Sequence, residues 1–351
     1  MRVLRTILIM LATVILLFAS FLAFITITDM KPDQMEILSV TNNQMKALPM
    51  GEAIVVTTYN IGYAGLDKTQ DFFADGGQRS RAESLEAVEA NMEAVIETLD
   101  GTESDILILQ EVDRDSSRSF GMNQVDILES YYPNFGHVYG VNYKVPWVPV
   151  PITNPMGKVT SGVMTLTRYN VSRGARYQLP GEENWPVSLF ELDRCFTEIR
   201  MKTENGSEAV LLNLHLSAFD KGGIIRLKQL EYLKDFLEEE YENGNYVIAG
   251  GDWNHNLPGT DPMNFEADEP WPFWLKDIPE DYSVKGYNWA ADPGNPTVRT
   301  LEMAYEPDYN FKAVIDGFLI SDNIRIISVE GIDLGFENTD HHPVRLSFSL
   351  E

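Results

Sequence analysis

The sequence predicts a layered α/β domain with sheets at its centre, preceded by one N-terminal transmembrane helix. Three observations point there: an uncharged apolar stretch at the N-terminus, a succession of short β-branched runs after residue 52, and two longer stretches in which apolar residues recur every three or four positions.

From Thr6 to Thr28 no residue is charged, and Ile7 to Ile27 wound as a helix covers roughly 30 Å, the thickness of a bilayer's hydrocarbon core. A cleavable signal peptide has a shorter apolar core, about 7 to 15 residues, that ends in a small-x-small site. No clear site of that kind follows Phe24, so residues 1–28 are expected to be a retained signal anchor, with a cleaved signal as the competing reading. Arg2 and Arg5 precede the span, and Asp29, Lys31 and Asp33 follow it. The positive-inside tendency therefore places the N-terminus in the cytoplasm and the rest of the chain outside the cell membrane. Residues 29–51 are polar and aperiodic and read as a tether, leaving 52–351 as the domain.

Strand candidates are Ile54 to Tyr59, Asp105 to Gln110, Gly162 to Thr167, Phe196 to Met201, Ala209 to Leu216, Tyr246 to Gly250, Ile315 to Ile320 and Val344 to Phe348. Ser80 and Glu83 have capping-box spacing and open a stripe of Leu85, Val88, Met92, Val95 and Leu99. A second helix is expected from about Gly222 to Tyr241, with Leu227, Leu230, Leu233 and Leu237 facing inward and Gly244 just past its end. Two stretches break the pattern. Residues 142–160 carry Pro146, Pro149, Pro151 and Pro155 around Trp147, and 255–312 is long, proline-rich and set with Trp271, Trp274 and Trp289. Such loops are expected to be lids or binding walls.

The 27 Lys and Arg against 53 Asp and Glu leave 27 − 53 = −26 formal charges at pH 7. That balance disfavours a protein gripping a long phosphate backbone, because such affinity comes from many cations displacing counterions. Hydrophobic residues at 44% exclude a disordered chain. With Cys195 as the single cysteine, neither an internal disulfide nor a cysteine zinc site can form.

Polar groups stand at the ends of the apolar runs: Asn60, Glu111, His215, Asp252 and Asn254, Asp316, and Asp340 with His341. A strand ending in a carboxylate, amide or imidazole delivers that group to one rim of a sheet, where ligands commonly bind in α/β folds. Oxygen donors without cysteine suit a hard cation such as Mg²⁺ or Mn²⁺. The composition points to phosphate chemistry.

Thr58-Tyr59-Asn60-Ile61, Leu109-Gln110-Glu111-Val112, Ser161-Gly162-Val163, Asn213-Leu214-His215-Leu216, Gly251-Asp252-Trp253-Asn254, Ile315-Asp316-Gly317-Phe318 and Thr339-Asp340-His341-His342-Pro343 together resemble the endonuclease/exonuclease/phosphatase superfamily, whose members include deoxyribonuclease I and neutral sphingomyelinases. Each segment is weak alone, but they stand in the family's order. The resemblance implies a four-layer sandwich of two packed mixed β-sheets flanked by helices. It further implies Glu111 as the main ligand of Mg²⁺ or Mn²⁺, with Asn60 and Asp340 near it. Asp252 would orient or deprotonate the attacking water, Asn254 would position it, and His341, held by Asp316, would meet the phosphate together with His215. Lys158, Arg194 and Arg299 are candidate phosphate contacts.

No cation-rich loop for duplex DNA is present, and the stretch Gly251-Asp252-Trp253-Asn254-His255-Asn256 replaces the inositol 5-phosphatase pattern. The expected function is a membrane-anchored, metal-dependent phosphoesterase acting on a small molecule or a lipid head group, with nucleic acid a less favoured partner. The alternatives are an extracellular nuclease and a catalytically inactive surface binding module.

Overall fold

The computed structural model describes residues 1–351, apart from the side chain of Lys221. Among the described residues the strands are β1 (Met35–Leu38), β2 (Ile54–Asn60), β3 (Ile106–Asp113), β4 (Gly136–Val148), β5 (Gly157–Thr167), β6 (Val171–Gln178), β7 (Cys195–Lys202), β8 (Glu208–His215), β9 (Tyr246–Asp252), β10 (Tyr287–Ala290), β11 (Val298–Arg299), β12 (Lys312–Ala313), β13 (Asp316–Ser321), β14 (Ile324–Gly331) and β15 (Val344–Leu350). The α-helices are α1 (Arg2–Thr28), α2 (Leu85–Gly101), α3 (Gln124–Tyr131) and α4 (Ile224–Glu242).

One large sheet has seven strands in the order β1-β6-β7-β8-β9-β13-β10, a second has six in the order β14-β15-β2-β3-β5-β4, and β11 and β12 pair by themselves. Their inner faces meet in a core that includes Val56, Ile108, Leu211, Ile248, Phe318 and Phe348. Side chains of this size contribute about 1.5 to 3 kcal/mol each when fully buried. On the outside, Val88, Met92, Val95 and Leu99 of α2 and Val125 and Leu128 of α3 cover the six-stranded sheet. Leu230, Leu233 and Leu237 of α4 cover the seven-stranded one. The result is the expected four-layer sandwich with an apolar helix ahead of it.

Each sheet contains one parallel pair joined through a helix: β2 and β3 through α2, β8 and β9 through α4. The two crossovers send the C-terminal ends of all four strands to one rim. Buried polar groups lock the sheets together there. Gln110 Nε2 donates to Asn213 Oδ1 at 2.8 Å, and Asn213 Nδ2 donates to the Met164 carbonyl at 3.0 Å.

Several expectations are corrected. Residues 29–51 do not hang free: β1 pairs antiparallel with β6, Thr41 bridges to His137, and Leu48 is buried beside Thr203. The cap of α2 is Ser84, whose hydroxyl accepts from the Ala87 amide, rather than Ser80. The helix read from Gly222 begins after Gly223, and its Leu227 faces solvent. The proline-rich stretch 142–160 is largely the β4–β5 hairpin, with Pro146 on an edge strand where a missing amide is tolerated. The strands not foreseen include β1, β4, β10 and β14, all at sheet edges. On β14 most residues are at least partly exposed, so an apolar alternation has no packing to serve.

Candidate active site

Asn60 ends β2, His215 ends β8 and Asp252 ends β9. Asp316 instead begins β13. Because β13 runs antiparallel to β9 with Asp316 opposite Asp252, it arrives at the same rim. Glu111 lies in β3 where the pairing with β5 slips between Leu109 and Val112, and its φ is +56°. A bulge of this kind re-aims a side chain, and a non-glycine residue in the left-handed region costs about 1 to 3 kcal/mol that the surrounding sheet must supply. Asp340 and His341 come from the turn before β15, pinned by a bridge from His341 to Val298.

These groups converge. Asn60 Nδ2 lies 3.4 Å from Glu111 Oε1, 3.1 Å from Asp252 Oδ2 and 3.5 Å from His341 Nε2. Its own Oδ1 accepts from the Gly62 amide at 3.0 Å, so the end of Asn60 turned toward the acids is the amide nitrogen. His341 Nδ1 is 2.8 Å from Asp316 Oδ2. Asp252 Oδ2 is 3.4 Å from His215 Nε2 and 4.0 Å from His341 Nε2. Asp252 Oδ1 accepts from the Asn254 amide at 2.9 Å, while Asn254 Nδ2 is committed to the Leu216 carbonyl at 2.9 Å.

Burial and neighbours set the charges. Burial opposes a proton on His341, but the Asp316 carboxylate beside it prevails and raises its pKa to about 10. His215 is also buried and has no such partner at Nδ1; burial, with Arg194 and His341 nearby, holds it well below the usual imidazole range. Of the two imidazoles at this rim, His341 is thus protonated and His215 neutral at neutral pH. Burial, reinforced by Asp316, pushes Asp252 up to about 7, and burial, reinforced by Glu111, pushes Asp340 up to about 6.

The residues suit a hard cation beside Glu111. Asp340 Oδ1 is buried without a hydrogen-bond partner, and a Cβ on Gly62 would stand 2.7 Å from that oxygen. Asp252, Asp316 and His341 also bring ligand atoms within 4.8 Å of one another. His341 Nδ1 is already engaged by Asp316, however, and Asp252 stands 4.0 Å from its Nε2; among the described residues the buried carboxylate oxygens of this rim without a partner are Asp316 Oδ1 and, on the Glu111 side, Asp340 Oδ1.

The candidate phosphate contacts separate. Arg194 lines the cleft, and its Nη1 is buried with no partner among the described residues. Arg299 lines it too, but its guanidinium donates to the carbonyls of Asp67, Gln70 and Thr300, which makes it a clamp on the loop rather than a free cation. Lys158 is exposed and paired with Asp115 on the surface, outside the cleft lining. Sequence reasoning missed Arg118, which is buried 3.6 Å from Glu111, bound to Asp113 at 2.9 Å, and stacked over Tyr63 at 3.9 Å. It sits in a short turn that no periodicity marks. Also missed was Asn142, whose Nδ2 is buried in the cleft with no partner. His255 and His342 bond to backbone carbonyls of Trp253 and Pro296.

The cleft encloses about 250 Å³. Its lining takes in Glu111, His215, Asp252, Asn254, Asp340 and His341, while Asn60 and Asp316 support them from outside it; apolar side chains of the lining include Phe72, Phe73, Val148, Met156, Phe190 and Trp274.

The sequence profile of the Endonuclease/Exonuclease/phosphatase family matches residues 57–340. The chain belongs to this family. No curated protein sequence matches it. Among solved structures it is similar to an endonuclease/exonuclease/phosphatase from Beutenbergia cavernae (16% identity, 85% of this chain and 72% of that one, TM-score 0.54). It is also similar to the human Nocturnin catalytic domain with bound sulfate (16% identity, 91% and 98%, TM-score 0.52) and to ANGEL2, a 2′,3′-cyclic phosphatase (15% identity, 92% and 99%, TM-score 0.54). At these identities the likeness establishes the fold, which is that of the family's phosphoesterases.

Proposed function

We propose that the protein is a membrane-anchored, divalent-cation-dependent hydrolase of phosphate esters. The observation that carries this reading is the convergence of Glu111, Asp252 and His341 on the lining of the cleft, with Asp316 bonded to His341 behind it. Glu111 and Asp340, steadied by Asn60, would hold Mg²⁺ or Mn²⁺, which when bound neutralises charge on the phosphate oxygens. Asp252, with a pKa near neutrality, is suited to accept the proton of the attacking water as the water oxygen bonds to phosphorus and the ester oxygen leaves. Protonated His341 donates from Nε2 to a nonbridging oxygen while Asp316 holds its ring. Neutral His215 supplies a hydrogen bond without adding charge, and Arg194 and Asn142 are free donors for the same phosphate. Asn254 keeps Asp252 aligned through its backbone amide.

The anchor is supported by α1, a 27-residue helix apolar enough to cross a membrane. Its Ile25 is fully buried against the domain, and Trp185 Nε1 donates to Thr26 Oγ1 at 3.4 Å, contacts that a cleaved leader would forfeit. The charges flanking the span favour an extracytoplasmic domain. The apolar cleft walls and the charge of −26 favour a small-molecule or lipid ester over a nucleic-acid strand.

The test is hydrolysis by the full chain, in detergent, across phosphomonoesters and phosphodiesters with Mg²⁺ or Mn²⁺. Glu111→Gln should lower kcat on the order of a thousandfold and excess chelator should abolish turnover. Full activity in chelator would refute the mechanism. Plasmid cleavage outpacing every small or lipid ester would favour the nuclease.

A further inference from the structure

The cleft opens among apolar side chains that face solvent. Val150 and Phe219 line it while remaining 41% and 39% exposed, and near them in the chain stand Trp147 and Ile152, the latter 91% exposed. Trp147, Val150 and Ile152 belong to the end of the β4–β5 hairpin, whereas Phe219 packs beside exposed Phe273 with ring centroids 6.2 Å apart. Exposed aromatic and aliphatic groups from separate segments around one opening mark a surface that meets an apolar partner.

The position of α1 identifies that partner. Phe21 stacks on Phe190, a wall of the cleft, with centroids 6.2 Å apart and planes 14° from parallel. Trp185, 61% exposed, touches Thr26. A helix of 27 residues is about 40 Å long, and a bilayer's hydrocarbon core takes up about 30 Å of it. With Ile7 to Ile27 filling that core, Thr26 stands at its boundary with the head groups and Phe21 just below it, so Trp185 and Phe190, which meet these residues, lie at the depth of the leaflet's surface. Tryptophan, like tyrosine, is enriched at this depth.

We propose that the rim of the cleft dips into the leaflet from which α1 emerges, and that the ester hydrolysed belongs to a membrane lipid entering from the bilayer side. The proposal rests on the phosphoesterase reading above. The lipid's phosphate reaches Glu111 and His341, and its apolar part lies along Phe72, Val148 and Phe190. Glu182, Glu183 and Glu191 border the neighbouring groove that also takes in Phe219, so the surface suits zwitterionic rather than anionic lipids.

The full chain is reconstituted in phosphatidylcholine vesicles whose acyl chains carry bromine, which quenches tryptophan on contact. Trp147→Phe with Trp185→Phe should remove most of the quenchable emission; an unchanged quenched fraction overturns the proposal, whether or not the protein turns over. The second arm uses Trp147→Ser with Ile152→Ser. Hydrolysis of phosphatidylcholine or phosphatidylethanolamine in vesicles should fall about tenfold, while a water-soluble aryl phosphodiester is hydrolysed within about twofold of the parent rate. Equal losses on both substrate forms overturn it. If no ester is hydrolysed at all, the phosphoesterase reading fails and the quenching alone decides the membrane contact.

Discussion

Asp316→Asn is the substitution that most directly tests how the site is charged. In the parent, His341 Nδ1 lies 2.8 Å from Asp316 Oδ2, and the carboxylate lifts the ring's pKa to about 10 against the opposing effect of burial. The asparagine keeps the shape and removes the charge. His215, buried without a carboxylate at Nδ1 and with Arg194 and His341 nearby, sits well below the usual range, whereas His341 would keep the weaker pull of Asp340 and Asp252. The His341 pKa should then fall, weakening the positive donor that faces the phosphate at neutral pH. Forfeiting one charge-assisted hydrogen bond in the transition state is worth about 2 to 3 kcal/mol, or about 30- to 200-fold in kcat. Because the folded pKa lies above the unfolded one, the pair's contribution to stability is complete below about pH 6.5 and is lost as pH rises toward about 10. The assays are kcat against pH, denaturant midpoints at pH 6 and pH 10, and an NMR titration of the His341 ring. His341→Gln should cost a similar factor, and the double variant little more than the worse single, since the two act as one unit. Multiplicative losses, or a His341 titration unmoved by Asp316→Asn, would refute the reasoning.

Cation affinity should tighten from pH 5.5 to pH 8, because burial holds the Asp340 carboxyl up to about 6 and its proton must leave before the acid can serve a cation. Calorimetry in buffers of different ionisation heat would reveal the released protons, and a pH-independent affinity would contradict it. Gly62→Ala should weaken Mg²⁺ binding and lower stability by about 1 to 3 kcal/mol, since φ is +49° there and the new Cβ meets Asp340 Oδ1 at 2.7 Å. Thermal melts with and without Mg²⁺ read both effects, and parental behaviour in each would rule the contact out. Asn213→Leu should cost about 1 to 3 kcal/mol by removing the shortest of the bonds from buried Gln110 Nε2, which keeps Thr58 Oγ1, and the donor to the Met164 carbonyl; an unchanged denaturant midpoint would show that this link between the sheets is idle.

Much of this protein was legible without coordinates, for reasons that differ by element. The central strands were found because both their faces are buried, so Val56, Ile108, Leu211 and Ile248 had to be apolar. The motif residues were found because each directly follows such a run and inherits its direction. Helices α2 and α4 showed themselves through a single buried stripe, although α2 starts at Ser84, where the local bond to the Ala87 amide forms, and not at the better-looking Ser80. The edge strands β1, β4 and β14 escaped notice since a strand packed on one side imposes little pattern.

The amino-acid sequence by itself determined which groups would be available: the apolar span, the acid-rich surface, and the carboxylates and imidazoles at the ends of buried strands. Only the tertiary structure decided what those groups became. The antiparallel return of β13 puts Asp316 opposite Asp252 and within reach of His341, so one buried histidine is charged while His215, equally buried, is not. Arg118 became a partner of Glu111, Arg299 a clamp on backbone carbonyls, and Lys158 a surface ion pair. The physical reason is common to all of them. A side chain's charge and its free donors depend on burial and on neighbours far away in the chain, and those distances exist only once the two sheets have packed.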